Sequence, residues 1–345
     1  MRILLSAGES SGDRIGARLA EAIGRLEPTA ELAGCAGPGM ARSGVRPLAD
    51  RADFSHAGWQ SVLAHAPQLL WRASRYYARA REFSPDLVLA VDAPGLHSPL
   101  LNRFRRAGVP CAWVAPPQLW AWKDRHPRVL RGLRVFPLHE FEVDALRDAG
   151  ADPLWLGYPG PRPSRGAGVR DLLALFPGSR PAWRGRHAEL FLEAAKAADT
   201  GLQPVFVHPD PPGALELGLP CLAPGEALSR AALALTLPGT AVLEIALQGI
   251  AAVVAARPGR FDTWMANRRL SCGPYALPNR ILGRTVYPEL LGADVGAAEI
   301  AHALREARMQ ADPIALDDFS ARLGPEDAAE RIVRSVLLAA PPRDR

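Results

Sequence analysis

The chain alternates between short apolar runs and longer segments in which apolar residues recur every three or four positions. Arg2–Ala7, Glu31–Gly34, Leu87–Val91, Cys111–Ala115, Val135–Pro137 and Pro153–Leu156 read as buried strands, each bounded by turn-forming residues. Between them, Arg14–Leu26 sets Ile15, Leu19, Ile23 and Leu26 on one helical stripe. The same period recurs in Trp59–Phe83 (broken at Pro67), Ser98–Ala107 and His139–Ala149. Strand–helix alternation of this kind predicts a parallel, doubly wound sheet.

The segment Gly157–Gly168 is dense in Pro and Gly and lacks a period, so it reads as a linker. A second series follows: strand Leu172–Phe176, helix His187–Ala197, strands Pro204–His208 and Leu233–Thr236, helix Ala241–Gln248 and strand Ala252–Ala256. Helical periods at Ala297–Met309 and Ala328–Ala339 close the chain, and the tail Pro341–Arg345 is expected to be disordered. The expected class is α/β, with two doubly wound Rossmann-like domains facing a cleft. They would span 1–157 and 169–315, joined by a linker over 158–168. A helical segment over 316–345 would pack back on the first domain.

A length of 345 residues suits two domains. The net charge is +5, and among the cations only Lys123 and Lys196 are not Arg. Positive charge favours anionic partners such as nucleotide sugars or phospholipid head groups. Nucleic acid is disfavoured, since the chain has no zinc-finger spacing, RNA-recognition signature or basic tail. Cys35, Cys111, Cys221 and Cys272 are widely separated, which predicts free thiols in a reducing compartment and no metal centre. No apolar run is long enough to span a bilayer, and no basic–apolar leader precedes the first strand. A cytoplasmic protein, able to sit on a membrane surface, is expected.

Candidate chemistry gathers at strand ends. The first strand runs into Gly8-Glu-Ser-Ser-Gly-Asp13 before a helix, a turn that offers backbone N–H groups and a positive helix end. The carboxylates of Glu9 and Asp13 would repel a bare phosphate, so Glu9, Ser10, Ser11 and Asp13 suit a hydroxyl-rich sugar. Asp92 ends another strand, where a carboxylate faces a cleft or merely starts a turn before Ala93-Pro94. Trp120 and Trp122 lie beside Lys123, Arg125, His126 and Arg128; they can stack on a sugar, sit at a membrane, or plug the core. In Phe176-Pro-Gly-Ser179-Arg180, the Arg offers a fork for a diphosphate. Pro238-Gly239-Thr240 with Glu244 one turn later repeats the corner, and Glu244 can accept both hydroxyls of a ribose, although a surface role is the commoner outcome for such a Glu. Along Trp59–Phe83, the stripe Trp59, Val62, Leu63, Ala66, Leu69, Ala73, Tyr76, Ala80 is flanked by Arg72, Arg75 and Arg79. This is either a lipid-facing amphipathic helix or a sheet-packing helix with a solvated Arg face. Trp71 falls outside the stripe, which favours the membrane, and the candidate lipid contacts are Trp59, Leu69, Leu70, Trp71, Arg72 and Arg75.

In these motifs the chain resembles the lipid-A-disaccharide synthases, glycosyltransferases of the GT-B fold. The resemblance is carried by Gly8–Asp13, Ala36-Gly-Pro-Gly-Met40, Val91-Asp-Ala-Pro94, Pro116-Pro-Gln-Leu-Trp-Ala-Trp122, Leu175–Arg180, Gly239–Glu244, Leu277-Pro-Asn279 and Pro288-Glu-Leu-Leu291. It implies inverting transfer of 2,3-diacylglucosamine from UDP to 2,3-diacylglucosamine 1-phosphate, by a peripheral protein on the inner face of the cell membrane. It further implies that activity depends on Asp92, that Arg180, Glu244 and Asn279 belong to the UDP side, and that acceptor and acyl chains lie with the first domain. Glu9 is the alternative base. With no Asp-x-Asp pair, neither a metal nor a cofactor besides the UDP-sugar is expected, and a homo-oligomer is compatible with the pattern. Trp183, Pro238, Gly95, His97 and Tyr158 depart from the residues usual at their positions, and the stretch between Val207 and Leu233 is shorter than usual. A UDP-N-acetylglucosamine epimerase-like isomerase and a non-catalytic relative stay open as alternatives.

Overall fold

The computed structural model describes residues 1–54, 66–121, 128–162, 169–178, 181–208, 218–259, 262–264, 268, 270, 273–310 and 316–339. Trp59, Trp122, Ser179, Arg180, Cys272 and the tail Pro341–Arg345 lie outside the described residues. The chain divides into two compact units: the described residues up to Pro161 and from Leu323 onward form the first, and those within Arg162–Arg322 form the second.

The first unit is built on seven parallel strands: β1 (Arg2–Ala7), β2 (Glu31–Ala36), β3 (Arg46–Asp50), β4 (Leu87–Val91), β5 (Cys111–Val114), β6 (Arg134–Phe136) and β7 (Asp152–Pro153), in the order β3-β2-β1-β4-β5-β6-β7. β4 is buried along its whole length, as expected of a central strand covered on both faces. β3 escaped the sequence reading because Arg-Pro-Leu-Ala-Asp buries only Leu48; Pro47 is tolerated there because β3 is an edge.

The first helix spans Ser10–Leu26 and so begins before the apolar period does. Gly12 permits this, since a Cβ there would lie 3.2 Å from the Ala7 Cβ and 3.4 Å from the Val91 carbonyl. His139–Ala149 is not one helix but a 3-10 turn at Glu140–Glu142 followed by Val143–Asp148. The head of the expected linker is packed rather than loose. The Tyr158 N–H donates to the Leu323 carbonyl at 2.8 Å, and its apolar ring is buried. The closing helix Ala328–Ala339 packs on the Ser10–Leu26 helix, with Arg25 and Glu330 3.9 Å apart.

The second unit holds six parallel strands: β8 (Leu172–Phe176), β9 (Gln203–Val207), β10 (Cys221–Leu222), β11 (Ala231–Thr236), β12 (Ala251–Ala256) and β13 (Glu289–Leu291), in the order β10-β9-β8-β11-β12-β13. Phe191, Phe206, Leu235, Ile300 and Leu304 centre its core. The edge strands β10 and β13 are too short for a sequence period to show. Among the described residues no helix is long and apolar enough to cross a membrane.

Candidate active site

Open α/β sheets bind ligands outside the carboxyl ends of their strands, where the strand order reverses. In the first sheet that point lies between β1 and β4. Ala7 and Val91 are register partners, so the turn after β1 and the turn after β4 start side by side. Gly8 is required by their closeness, because a Cβ there would sit 2.7 Å from the Ala93 Cβ. Asp92 and Ala93 take φ of +55° and +46°, a left-handed conformation that non-glycine residues rarely adopt and that clusters at functional sites. The Asp92 carboxylate accepts the Ala93 N–H at 2.8 Å and the Ser11 hydroxyl at 3.3 Å. Its backbone carbonyl accepts Trp113 Nε1–H at 3.1 Å and His97 Nδ1–H at 2.6 Å. Glu9 stands immediately before the helix, in extended conformation. Glu9, Ser10, Ser11 and Asp92 therefore share one end of the sheet.

Asp13 does not join them. It is buried, and its carboxylate accepts the N–H groups of Gly37, Gly39 and Met40 at 2.8, 2.9 and 3.1 Å, with Arg51 Nε 3.8 Å away. The expectation of a sugar-facing Asp13 is corrected: the carboxylate clamps the turn after β2. Gly37 and Gly39 are glycines because a Cβ at either would press on Asp13, and at Gly37 on Arg51 as well. Arg51 also donates to Ser10 Oγ at 2.8 Å, so it braces the site from a segment that carried no sequence signal.

After β5, the Trp120 indole N–H donates to Glu142, which follows β6, at 3.1 Å, and its ring meets Phe141 edge-on at 5.8 Å. Glu142 also accepts the N–H groups of Leu138 and His139, and burial pushes its carboxyl up to about 7. His139 lies stacked between Phe141 and Tyr158, and burial lowers it to about 3. Sequence reasoning missed Glu142, which anchors Trp120 from within a segment read as helix.

In the second sheet the order reverses between β8 and β11. Gly178, in the turn after β8, has φ +100°, and a Cβ there would lie 2.8 Å from Leu237 Cδ1, so the turns after β8 and β11 lie side by side. Pro238-Gly239-Thr240 follows β11, and Glu244 is buried in the helix Ala241–Leu247. The commoner surface role for that Glu does not apply. Trp183 stacks on His187 with centroids 5.1 Å apart, and His187 Nε2 accepts the Arg257 N–H at 2.9 Å.

Asn279 is turned inward. Its Oδ1 accepts the N–H groups of Val286 and Tyr287 at 2.8 and 2.9 Å, and its Nδ2 donates to the Tyr287 carbonyl and Glu289 at 2.7 and 2.8 Å. That exhausts a side-chain amide's capacity, so Asn279 pins the approach to β13 and offers nothing directly to UDP. Among the described residues no group of three or more His, Cys, Asp or Glu side chains is placed to hold a metal ion.

A family profile described as lipid-A-disaccharide synthetase matches residues 3–205 and 222–315. The lipid-A-disaccharide synthase of Myxococcus xanthus is 31% identical over 375 residues, covering 99% of this chain and 98% of that protein. That of Thiobacillus denitrificans is 32% identical over 317 residues, covering 82% and 84%. The chain belongs to the lipid-A-disaccharide synthase family of glycosyltransferases. Its fold is also that of Acinetobacter baumannii MurG, with TM-score 0.53 at 14% identity, covering 98% of this chain and 99% of that one. A Neisseria meningitidis UDP-GlcNAc 2-epimerase gives TM-score 0.56 at 12% identity, covering 98% and 100%. Identities that low establish the two-sheet GT-B fold alone, and the family rests on the sequence matches.

In this member of the synthase family, the helix Ala66–Glu82 buries Tyr76 and Ala80 against the first sheet. Leu70 and Trp71 are 71% and 56% exposed, and Arg75 lies 4.7 Å over the Trp71 ring. Arg72 is tied to Asp53 at 3.2 Å and Arg79 to the Leu48 carbonyl at 2.8 Å, so the free Arg face expected here is reduced by internal contacts. Leu69 is half-buried.

Proposed function

We propose that this protein moves a 2,3-diacylglucosamine unit from UDP to 2,3-diacylglucosamine 1-phosphate with inversion, forming a β-1,6 disaccharide and UDP. The acceptor's 6-hydroxyl oxygen attacks the anomeric carbon as the bond to UDP breaks. A primary hydroxyl needs a positioned base, which contributes typically about 10²–10⁴-fold. Asp92 is that base, with Glu9 the alternative. The observation that carries this reading is the left-handed Asp92–Ala93 turn at the end of β4, which puts a carboxylate at the sheet's switch point beside Ser11. Family membership supports the substrate class.

On the donor side, Arg180 and Ser179 neutralise and hold the departing diphosphate, Gly239 and Thr240 let backbone approach it, and Glu244 takes the ribose. No metal is needed in this scheme, because an Arg and backbone N–H groups supply the positive charge. Ser10, Trp120 and Trp122 belong to the acceptor side. Asp92→Asn keeps the shape and removes the basicity. It is expected to cut kcat by roughly 10²–10⁴-fold with UDP affinity unchanged, measured with and without EDTA. Full activity in Asp92→Asn with loss in Glu9→Gln would move the base to Glu9, and loss with EDTA restored by magnesium would refute the metal-free scheme.

The acylated substrates call for a membrane surface. Exposed Leu70 and Trp71 with Arg75 alongside match an amphipathic lipid contact. Wild-type protein is expected to sediment with anionic vesicles, and Trp71→Ala with Arg75→Ala to remain in solution. Equal sedimentation would return the segment to an ordinary sheet-packing helix.

A further inference from the structure

Behind Asp92 runs a line of buried polar groups whose donors and acceptors fit in one direction only. The Cys35 backbone N–H donates to the Tyr76 oxygen at 3.2 Å. The Tyr76 hydroxyl donates to Ser6 Oγ at 2.7 Å. Ser6 Oγ lies 2.9 Å from His97 Nε2, and His97 Nδ1 lies 2.6 Å from the Asp92 carbonyl oxygen. A carbonyl can only accept, so Nδ1 carries the proton. Nε2 is then an acceptor, Ser6 donates to it, and the Ser6 lone pairs receive Tyr76. Ser6 and His97 are fully buried and Tyr76 is 1% exposed. Burial holds His97 down to about 4, which keeps the imidazole neutral near neutral pH.

Neither the charge pattern nor the resemblance assigns these residues a part in the reaction. The line ends on the peptide that joins Asp92 to Ala93, both in left-handed conformation. Each such residue is strained and persists only where its surroundings over-determine it. His97 and Trp113 together occupy the Asp92 carbonyl, which fixes the peptide plane and with it the direction of the Asp92 carboxylate.

We infer that Tyr76, Ser6 and His97 are positioning residues, a one-way hydrogen-bond relay that holds Asp92 in the geometry its role as base requires. The inference rests on the reading of Asp92 as that base. Tyr76 belongs to the helix that carries Leu70 and Trp71, so the relay ties that helix to the catalytic turn.

Two measurements on the full chain test it. Nitrogen-15 NMR of the histidines is expected to show His97 protonated at Nδ1 and bare at Nε2; an Nε2–H tautomer overturns the relay whatever the rates are. For kinetics, Tyr76→Phe removes one hydroxyl and is expected to lower kcat about five-fold, the size of one net hydrogen bond, with KM for the UDP-sugar unchanged. His97→Leu is expected to lower kcat about 10²-fold, as misplacement by an ångström does. In an Asp92→Asn background both changes are expected to be silent. A purely structural role would lower Tm while leaving kcat per folded molecule intact, which overturns the inference. Further losses in the Asp92→Asn background overturn it as well, while the loss from Asp92→Asn itself keeps the base assignment. Full activity of Asp92→Asn overturns both, and the tautomer then separates a wrong base from a wrongly drawn relay.

Discussion

At the end of β4 the left-handed backbone falls on Asp92 and Ala93, whereas at the end of β8 it falls on Gly178. Both turns border the switch point of their sheet, β4 as the strand the chain returns to and β8 as the strand its sheet begins from. Glycine takes that conformation at no steric cost, so Gly178 carries no comparable strain. The β4 turn carries strain on the order of 1–3 kcal/mol per residue, offset by hydrogen bonds from Trp113, His97 and Ser11. The difference separates two tasks. A turn with no side chain to aim uses glycine, and the turn proposed to aim the base accepts strain and holds it.

The comparison is sharpened most by Asp13, a carboxylate of the first unit that is consumed rather than presented. Asp13→Ala orphans three N–H groups, of which those of Gly37 and Met40 are buried, and each buried one is worth about 1–3 kcal/mol. Urea unfolding is expected to show a loss of roughly 3–5 kcal/mol. A loss under about 1 kcal/mol would mean that the turn after β2 stands without its clamp and that Asp13 is available for a ligand.

Acid is expected to act through the buried histidines of the first unit. Burial lowers His97 to about 4 and His139 to about 3, against roughly 6.5 in the unfolded chain. Below about 6.5 the unfolded chain binds two protons that the folded one refuses. Their contribution is complete above that pH and is lost as pH falls. Glu142, pushed up to about 7, works the other way between roughly 4.3 and 7, because there the folded protein keeps a proton that the unfolded chain releases. One net proton remains, so these groups together remove on the order of 1.4 kcal/mol per pH unit below 6.5. Urea midpoints at pH 6.5 and pH 5 measure this, and His139→Phe, which keeps the ring stack, is expected to cancel most of the fall. A stability that is level over this range would contradict the burial argument.

The smallest effects come from exchanging the turn chemistries. Gly178→Ala forces a left-handed alanine whose Cβ meets Leu237 at 2.8 Å, and is expected to cost about 1–2 kcal/mol. Ala93→Gly relieves strain but frees the unfolded chain, so its stability is expected to stay within about 1 kcal/mol of wild type. Thermal unfolding of the pair checks this. A large loss in Ala93→Gly would show that the alanine methyl, rather than the backbone, holds the β4 turn.

Much of the fold was legible. Strands β1, β4, β5, β8, β11 and β12 are apolar runs, and the helices between them carry their period openly. β3, β10 and β13 were not, because an edge strand buries little and leaves no pattern. The turns that matter were legible as positions: Glu9–Ser11, Asp92 and Gly239–Thr240 all stand at switch points. Their roles were not. Asp13 and Asn279 look like ligand groups in sequence, yet both are spent on backbone N–H groups of neighbouring turns.

The amino-acid order alone determined the central strands, most of the helices between them and the strand–helix alternation of two parallel sheets. Those outcomes follow from burial and backbone geometry over a few neighbouring residues. Only the tertiary structure decided which polar side chains face outward and which are consumed. Ser6 meets His97 across 91 positions, and Asp13 meets Gly37 across 24. A hydrogen bond is satisfied by whatever donor packing brings within 3 Å or so, and no local period encodes that neighbour.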